Sequence, residues 1–106
     1  MESIDIIIPF VNQLPLTLRL LKQIKKNTEH LDVRIILIND GSDEAFPDEF
    51  NHMMELFQVK LITNRINRGF IYSVNRGLQF SQADYKVILN NDVFLTSRWL
   101  ELMIDV

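Results

Sequence analysis

The stretch Val33-Arg34-Ile35-Ile36-Leu37-Ile38-Asn39-Asp40-Gly41-Ser42-Asp43 decides the architecture. Its first part is β-branched and apolar almost without interruption. Its second part holds residues that make turns. An apolar run without polar alternation fits a strand buried on both faces, as in a parallel sheet. Three further runs have the same form, at residues 4–9, 59–63 and 85–90, beside 33–39 itself. The four starts, residues 4, 33, 59 and 85, lie 26 to 29 residues apart. A βαβ unit takes about 30 residues. The spacing therefore predicts a βαβαβαβα order: an α/β domain with a parallel sheet of about four strands and helices on both faces.

Helical patterns fill the gaps. Leu14, Leu18, Leu21 and Ile24 recur at helical steps, with Pro15 in the first turn and Lys25 and Lys26 at the end. A fixed φ suits a helix start and cations suit its carboxyl end. Phe46, Phe50, Met53, Met54 and Phe57 form the stripe of a second helix, with Pro47, Asp48 and Glu49 at its start. A third helix is expected over residues 70–81, with Phe70, Val74 and Leu78 on its packed side. A fourth would start at Thr96 or Ser97 and carry Leu100, Met103 and Ile104, with Trp99 packing at its entry.

Composition narrows the class. The chain has 106 residues, 47% hydrophobic and 24% charged, and no cysteine. That length suits one domain with a real core. The apolar content excludes disorder, and a chain without cysteine has neither disulfides nor a thiolate zinc site. The net charge of −3 lacks the basic footprint of a duplex-DNA binder. The longest apolar runs fall far short of the roughly 20 residues that span a bilayer. No secretory leader is visible at the N-terminus. The expectation is a cytoplasmic domain without nucleic-acid partners.

Ligands of open parallel sheets bind beyond the carboxyl ends of the strands. Those ends lead into Pro9-Phe10-Val11-Asn12, Asn39-Asp40-Gly41-Ser42-Asp43, Asn64-Arg65-Ile66-Asn67-Arg68-Gly69 and Asn90-Asn91-Asp92. In a parallel sheet all four lie on one rim. That rim gathers Asp40, Asp92, several asparagines, Arg65 and Arg68, a set suited to a polar ligand. The same residues are also ordinary turn formers, and Asp40 could simply open an Asx turn ahead of Gly41. Neither a G-x-G-x-x-G fingerprint nor a P-loop is present. Strand one is not followed by the acidic pair of a receiver domain.

In order and spacing, these segments resemble the family 2 glycosyltransferases. Ile7-Ile8-Pro9-Phe10-Val11-Asn12 is similar to the family's I-P-x-Y-N, with Val11 in place of the usual aromatic. Ile38-Asn39-Asp40-Gly41-Ser42 resembles V-D-D-G-S. Asn67-Arg68-Gly69-Phe70 with Asn75-Arg76-Gly77-Leu78 resembles N-x-G-F-x-x-x-x-N-x-G. Leu89-Asn90-Asn91-Asp92, followed by Trp99-Leu100-Glu101, resembles the D-x-D segment in its L-N-N-D form and the later W-L-E.

The resemblance implies a Rossmann-like, partial GT-A domain that binds a UDP-, dTDP- or GDP-linked sugar. It implies backbone contacts from Pro9 and Phe10 to the base and a hydrogen bond from the base to Asp40. Asn67, Arg68, Asn90 and Asn91 complete the implied nucleotide site, with Asn90 near the ribose. Asp92 would hold Mn²⁺ or Mg²⁺ on the diphosphate, since hard cations prefer oxygen ligands. Arg68 and Arg76 would approach the diphosphate, and Gly69 and Gly77 would permit turns or close packing.

The family's domain continues past this segment and supplies there the acceptor site and a general base. Here the chain ends at Val106, 14 residues after Asp92, and no acidic residue in 96–106 has the context of that base. The expectation is that residues 1–106 form a single domain, the N-terminal donor-binding part without the acceptor part. It would have little transfer activity alone, and its open apolar edge would favour a homodimer. Two alternatives stand: a non-catalytic interaction module on the same fold, and a nucleotidyltransferase-like or receiver-like domain.

Overall fold

Ile6, Ile7 and Ile8 have no exposed surface, and neither do Ile36, Leu37 and Ile38. These two triplets are the middle of a parallel sheet. The computed structural model describes residues 2–93, 95, 99 and 100. Its strands are β1 (Ile4–Phe10), β2 (Val33–Asp40), β3 (Lys60–Asn64) and β4 (Tyr85–Ile88). The order across the sheet is β3-β2-β1-β4, all parallel, with Ile7 level with Ile36 and Ile38 level with Ile62. Strand ends are level too: Phe10 pairs with Asn39, and Asp40 with Asn64. All four carboxyl ends therefore open on one rim, as the spacing predicts.

Side chains alternate between the faces of a strand. Ile4, Ile6, Ile8 and Phe10 of β1 join Ile35 and Leu37 of β2 under α1 (Leu14–Asn27) and α2 (Asp48–Leu56). From α1 come Leu14, Leu20, Leu21 and Ile24, and from α2 comes Phe50. The other face is smaller: Ile7, Ile36 and Ile38 with Ile62 and Leu78 under α3 (Phe70–Phe80). Gly77 lets α3 sit close there. A Cβ on it would lie 2.6 Å from Cγ2 of Ile7.

Several expectations need correction. Burial on both faces holds for β1 and the last six residues of β2, but only Asn64 is buried in β3 and only Val87 in β4. Edge strands lack a neighbour on one side, and the helices do not cover them fully. Strand four ends at Ile88, so Asn90 lies beyond it. The second helix begins at Asp48, which leaves Phe46 outside it; the Phe46 ring still packs 4.9 Å from that of Phe50. Phe70 is 54% exposed although Val74 behind it is buried, because it is the first helical residue and overhangs the rim. The start and most of the length expected for the fourth helix lie outside the described residues; Trp99 and Leu100 are buried.

At the amino ends of the strands, Asp5 is buried and accepts bonds from Arg34 at 3.1 and 2.8 Å and from the Ser81 hydroxyl at 2.6 Å. Burial opposes its ionisation. The Arg34 and Ser81 hydrogen bonds and the charges of Arg34 and Lys86 outweigh that and hold its pKa below the ordinary carboxylate range. A carboxyl with a depressed folded-state pKa stabilises the fold well above its unfolded value of 3.8 and loses that contribution as the pH falls below it. Arg34→Met should cost roughly 1–2 kcal/mol at pH 7, the pair being half-exposed on the arginine side. The cost should shrink at pH 3. Urea titrations at both pH values measure the difference, and an equal cost at both would refute it.

Candidate functional site

Where β1 leaves the sheet, Asn12 and Gln13 take consecutive left-handed conformations, with φ of 53° and 52°. Asparagine tolerates that region better than most residues. Its side chain also knits two loops together. The Asn12 Oδ1 accepts from the N–H groups of Asp43 and Glu44, both at 3.1 Å, and the Asn12 N–H donates to the Ser42 hydroxyl at 2.7 Å. The Gln13 N–H donates to Glu44 at 2.8 Å. The exits of β1 and β2 thus form one unit.

The turn after β2 is closed by Asn39, whose Oδ1 accepts from the Ser42 N–H three residues on at 3.0 Å. Asp40 does something else. Its carboxylate crosses to the start of α3. Oδ1 accepts from Arg68 N–H at 2.7 Å and from the Asn64 amide at 2.9 Å, and Oδ2 accepts from Gly69 N–H at 2.9 Å. Burial opposes its ionisation, but the bonds from Arg68, Asn64, Gly69 and Ser73 hold its pKa below the ordinary range. Asn64 is itself held: its amide also donates to the Ser73 hydroxyl at 3.0 Å, and its Oδ1 accepts from Arg76 at 2.6 Å.

A cavity of about 260 Å³ opens on this rim. It brings together Pro9, Phe10, Asp40, Asn90, Asn91 and Asp92, six of the residues singled out from the sequence. Phe10 is only 4% exposed, its ring packed about 6 Å from those of Phe46 and Phe50, so mainly its backbone faces the cavity. Asn91 is anchored, its amide donating to the Thr17 hydroxyl at 3.2 Å. Asp92 is exposed.

Asn67 and Arg68 do not line this cavity. Asn67 is exposed, its amide 3.4 Å from the Asp40 carbonyl. The Arg68 guanidinium lies over the Tyr72 ring at 5.6 Å, and Arg76 is bound to the end of β3, both in a separate groove. Val11, Gln13, Phe70 and Ser73 line the cavity and were not singled out for this role. Ser73 left one signal, a polar residue on the helical face of Val74 and Gly77. The tertiary overhang of Phe70 left none.

Among the described residues no lysine or arginine lines the cavity, whereas two carboxylates do. Gln13, just before α1, and Phe70, first in α3, line it, and helix amino ends favour anions. A diphosphate placed here meets helix ends and carboxylates together, so its charge calls for a cation. Among the described residues no three His, Cys, Asp or Glu side chains converge on one point. Asp92 with the amide oxygens of Asn90 and Asn91 offers hard oxygen donors. That set fits a Mg²⁺-type ion taking one or two carboxylates and completing its shell with phosphate and water.

Residues 5–106 match the family model described as glycosyl transferase family 2. Two proteins of Haemophilus influenzae, each named an uncharacterized glycosyltransferase, are both 30% identical over 74% of this chain. The chain covers 24% and 32% of their lengths. A glucosyl-dolichyl phosphate glucuronosyltransferase of Haloferax volcanii is 25% identical over 69% of the chain and 23% of its own length. Among solved structures, a mannosyltransferase of Pyrobaculum calidifontis in complex with GDP-Man and Mn²⁺ superposes with a TM-score of 0.80 at 18% identity. That match covers 92% of this chain and 29% of the other, and it is a likeness of GT-A fold. The chain thus spans about a quarter to a third of these proteins. With the family model matching nearly end to end on a parallel sheet of this fold, the chain belongs to glycosyl transferase family 2.

Proposed function

We propose that the rim cavity binds a nucleoside-diphosphate sugar together with Mn²⁺ or Mg²⁺, as the donor half of a glycosyl transfer. The observation that carries this reading is the cavity itself. It sets Asp92 and two asparagine amides beside two helix amino ends, and among the described residues no protein cation lines it to balance a diphosphate. Asp40 has three donors on its two oxygens and keeps acceptor capacity on Oδ2 for the imide N–H of a base. The ring of Phe70 is the exposed aromatic face at the cavity and would stack on the base, where Val11 offers none. Asn67 and Arg68 would act indirectly, by holding Asp40 through their loop. Asn90, Asn91 and Asp92 would hold the metal–diphosphate end. A divalent ion there would neutralise charge on the departing nucleoside diphosphate. The GDP-Man and Mn²⁺ of the structural neighbour support the same class of donor and make GDP the first nucleotide to try.

Calorimetric titration of GDP, UDP and dTDP, with and without Mn²⁺, tests this. Wild type should bind one of them saturably and only with metal. Asp92→Ala should weaken that binding about tenfold or more, at least ~1.4 kcal/mol. A folded wild type that binds none of the three with Mn²⁺ would sink the reading and favour an interaction module on this fold.

A further inference from the structure

A second groove, of about 320 Å³, lies at the end of β3 and, among the described residues, shares none with the rim cavity. Arg65, Arg68 and Arg76 line it with Ile66 and Tyr72. None of the three guanidinium groups has a carboxylate partner among the described residues. Two are held in place rather than free in solvent. Arg76 donates to the Thr63 carbonyl at 2.9 Å and to Asn64 at 2.6 Å, and Arg68 stacks on Tyr72. Clustered like charges repel one another, so the arrangement favours recruitment of an anion.

Charge along the chain sharpens the point. From residue 56 to residue 83 there is no Asp or Glu, only Lys60, Arg65, Arg68 and Arg76, in a chain whose net charge is −3. An anionic surface would repel most of this molecule and attract this side, which sets its orientation. Two apolar side chains, Ile66 and Tyr72, line the groove with the cations and are 60% and 48% exposed; Ile71, beside Tyr72 in the chain, is 75% exposed. Ile71 and Tyr72 lie away from the buried face of α3, which is Ser73, Val74 and Gly77. A free phosphate ion would need the guanidinium groups but not these neighbours. Arginines next to isoleucine and tyrosine match the boundary between headgroups and acyl chains.

We infer that this side of α3 and the loop before it dock on an anionic phospholipid bilayer. Arg65, Arg68 and Arg76 meet headgroup phosphates, and Ile66, Ile71 and Tyr72 enter the boundary layer. The contact is peripheral, since no helix of the described residues is long and apolar enough to cross a membrane. It is independent of the donor reading and needs neither nucleotide nor metal.

Co-sedimentation of the 106-residue chain with vesicles tests it. The chain should bind vesicles of equal parts phosphatidylglycerol and phosphatidylcholine at low salt and not vesicles of phosphatidylcholine alone. Added salt should release it, because exposed charges are screened. Each cation near such a surface is worth about fivefold in partitioning, so Arg65→Gln with Arg68→Gln should weaken binding about 25-fold. Ile66→Ser with Ile71→Ser should weaken it separately. All four side chains are exposed, and Arg68 bonds Asp40 through its backbone, so circular dichroism should show unchanged folds. No binding by the folded wild type overturns the proposal, as does binding unaffected by the arginine pair. Calorimetric binding of inorganic phosphate without vesicle binding also overturns it and makes the groove a site for soluble phosphate compounds.

Discussion

Asp40→Ala should destabilise the protein by about 3–5 kcal/mol, a large part of the ~5–15 kcal/mol that holds a domain together. The carboxylate is 5% exposed and receives three hydrogen bonds, two of them from backbone N–H groups at the start of α3. Alanine leaves the N–H groups of Arg68 and Gly69 and one proton of the Asn64 amide without their acceptor. Each unsatisfied buried donor costs about 1–3 kcal/mol, and water entering the rim would offset part of that. Asp40→Asn should fall between. Its oxygen can serve one side of the junction, but its NH₂ then faces another donor. Urea unfolding at pH 7 measures all three proteins. A loss under about 1 kcal/mol in Asp40→Ala would mean the junction does not stabilise the fold. The deficit should narrow in acid. Asp40 has a depressed folded-state pKa, so the wild type itself loses the contribution as the pH falls below 3.8.

Gly41→Ala should cost about 3 kcal/mol or more, though it adds a single methyl group. Gly41 has φ of +72°, a region that costs residues with a Cβ roughly 1–2 kcal/mol. The space is also taken. A Cβ there would lie 2.5 Å from the Asn67 nitrogen and 2.7 Å from the Ile66 carbonyl carbon, both backbone atoms. A side chain could rotate away; these atoms move only if the loop before α3 moves. That loop carries the Arg68 N–H to Asp40. Gly41→Ala and Asp40→Ala therefore strain one junction, and the double variant should be less destabilised than the two costs combined. Strict additivity in a double-mutant cycle would show that the contacts act separately. The same loop change should weaken nucleotide binding if Asp40 meets the base.

Much of the fold was legible because its signals are local. The apolar runs around Ile6 to Ile8 and Ile35 to Ile38 needed no partner to be recognised as strands, and their spacing set the parallel crossovers. Leu14, Leu21 and Ile24 follow from helical period alone, whereas Leu20 is fully buried and Leu18, on the expected stripe, only partly so. At the site, the residues at the strand ends pointed to the rim, and six of them, from the ends of β1 and β2 and the segment after β4, line one cavity. Side-chain direction was not legible. The resemblance implies Arg68 at the diphosphate; in the structure its N–H serves Asp40 and its guanidinium lies over the Tyr72 ring. Phe70 fits a packed helical face by period but overhangs the cavity from the first helical position.

The sequence by itself determined the order and type of the elements, the parallel sheet, and which segments meet at its rim. Periodicity, turn chemistry and crossover length are properties of residues close in the chain. Only the tertiary structure decided that β3 and β4 lie at the edges, and that Asp40 spends much of its acceptor capacity inside the protein. It also decided that three arginines share a groove apart from the rim cavity. The partners of Asp40 lie 24 to 29 residues away along the chain. A carboxylate's hydrogen bonds depend on which atoms come within about 3 Å of it, and that distance is set by packing rather than by sequence spacing.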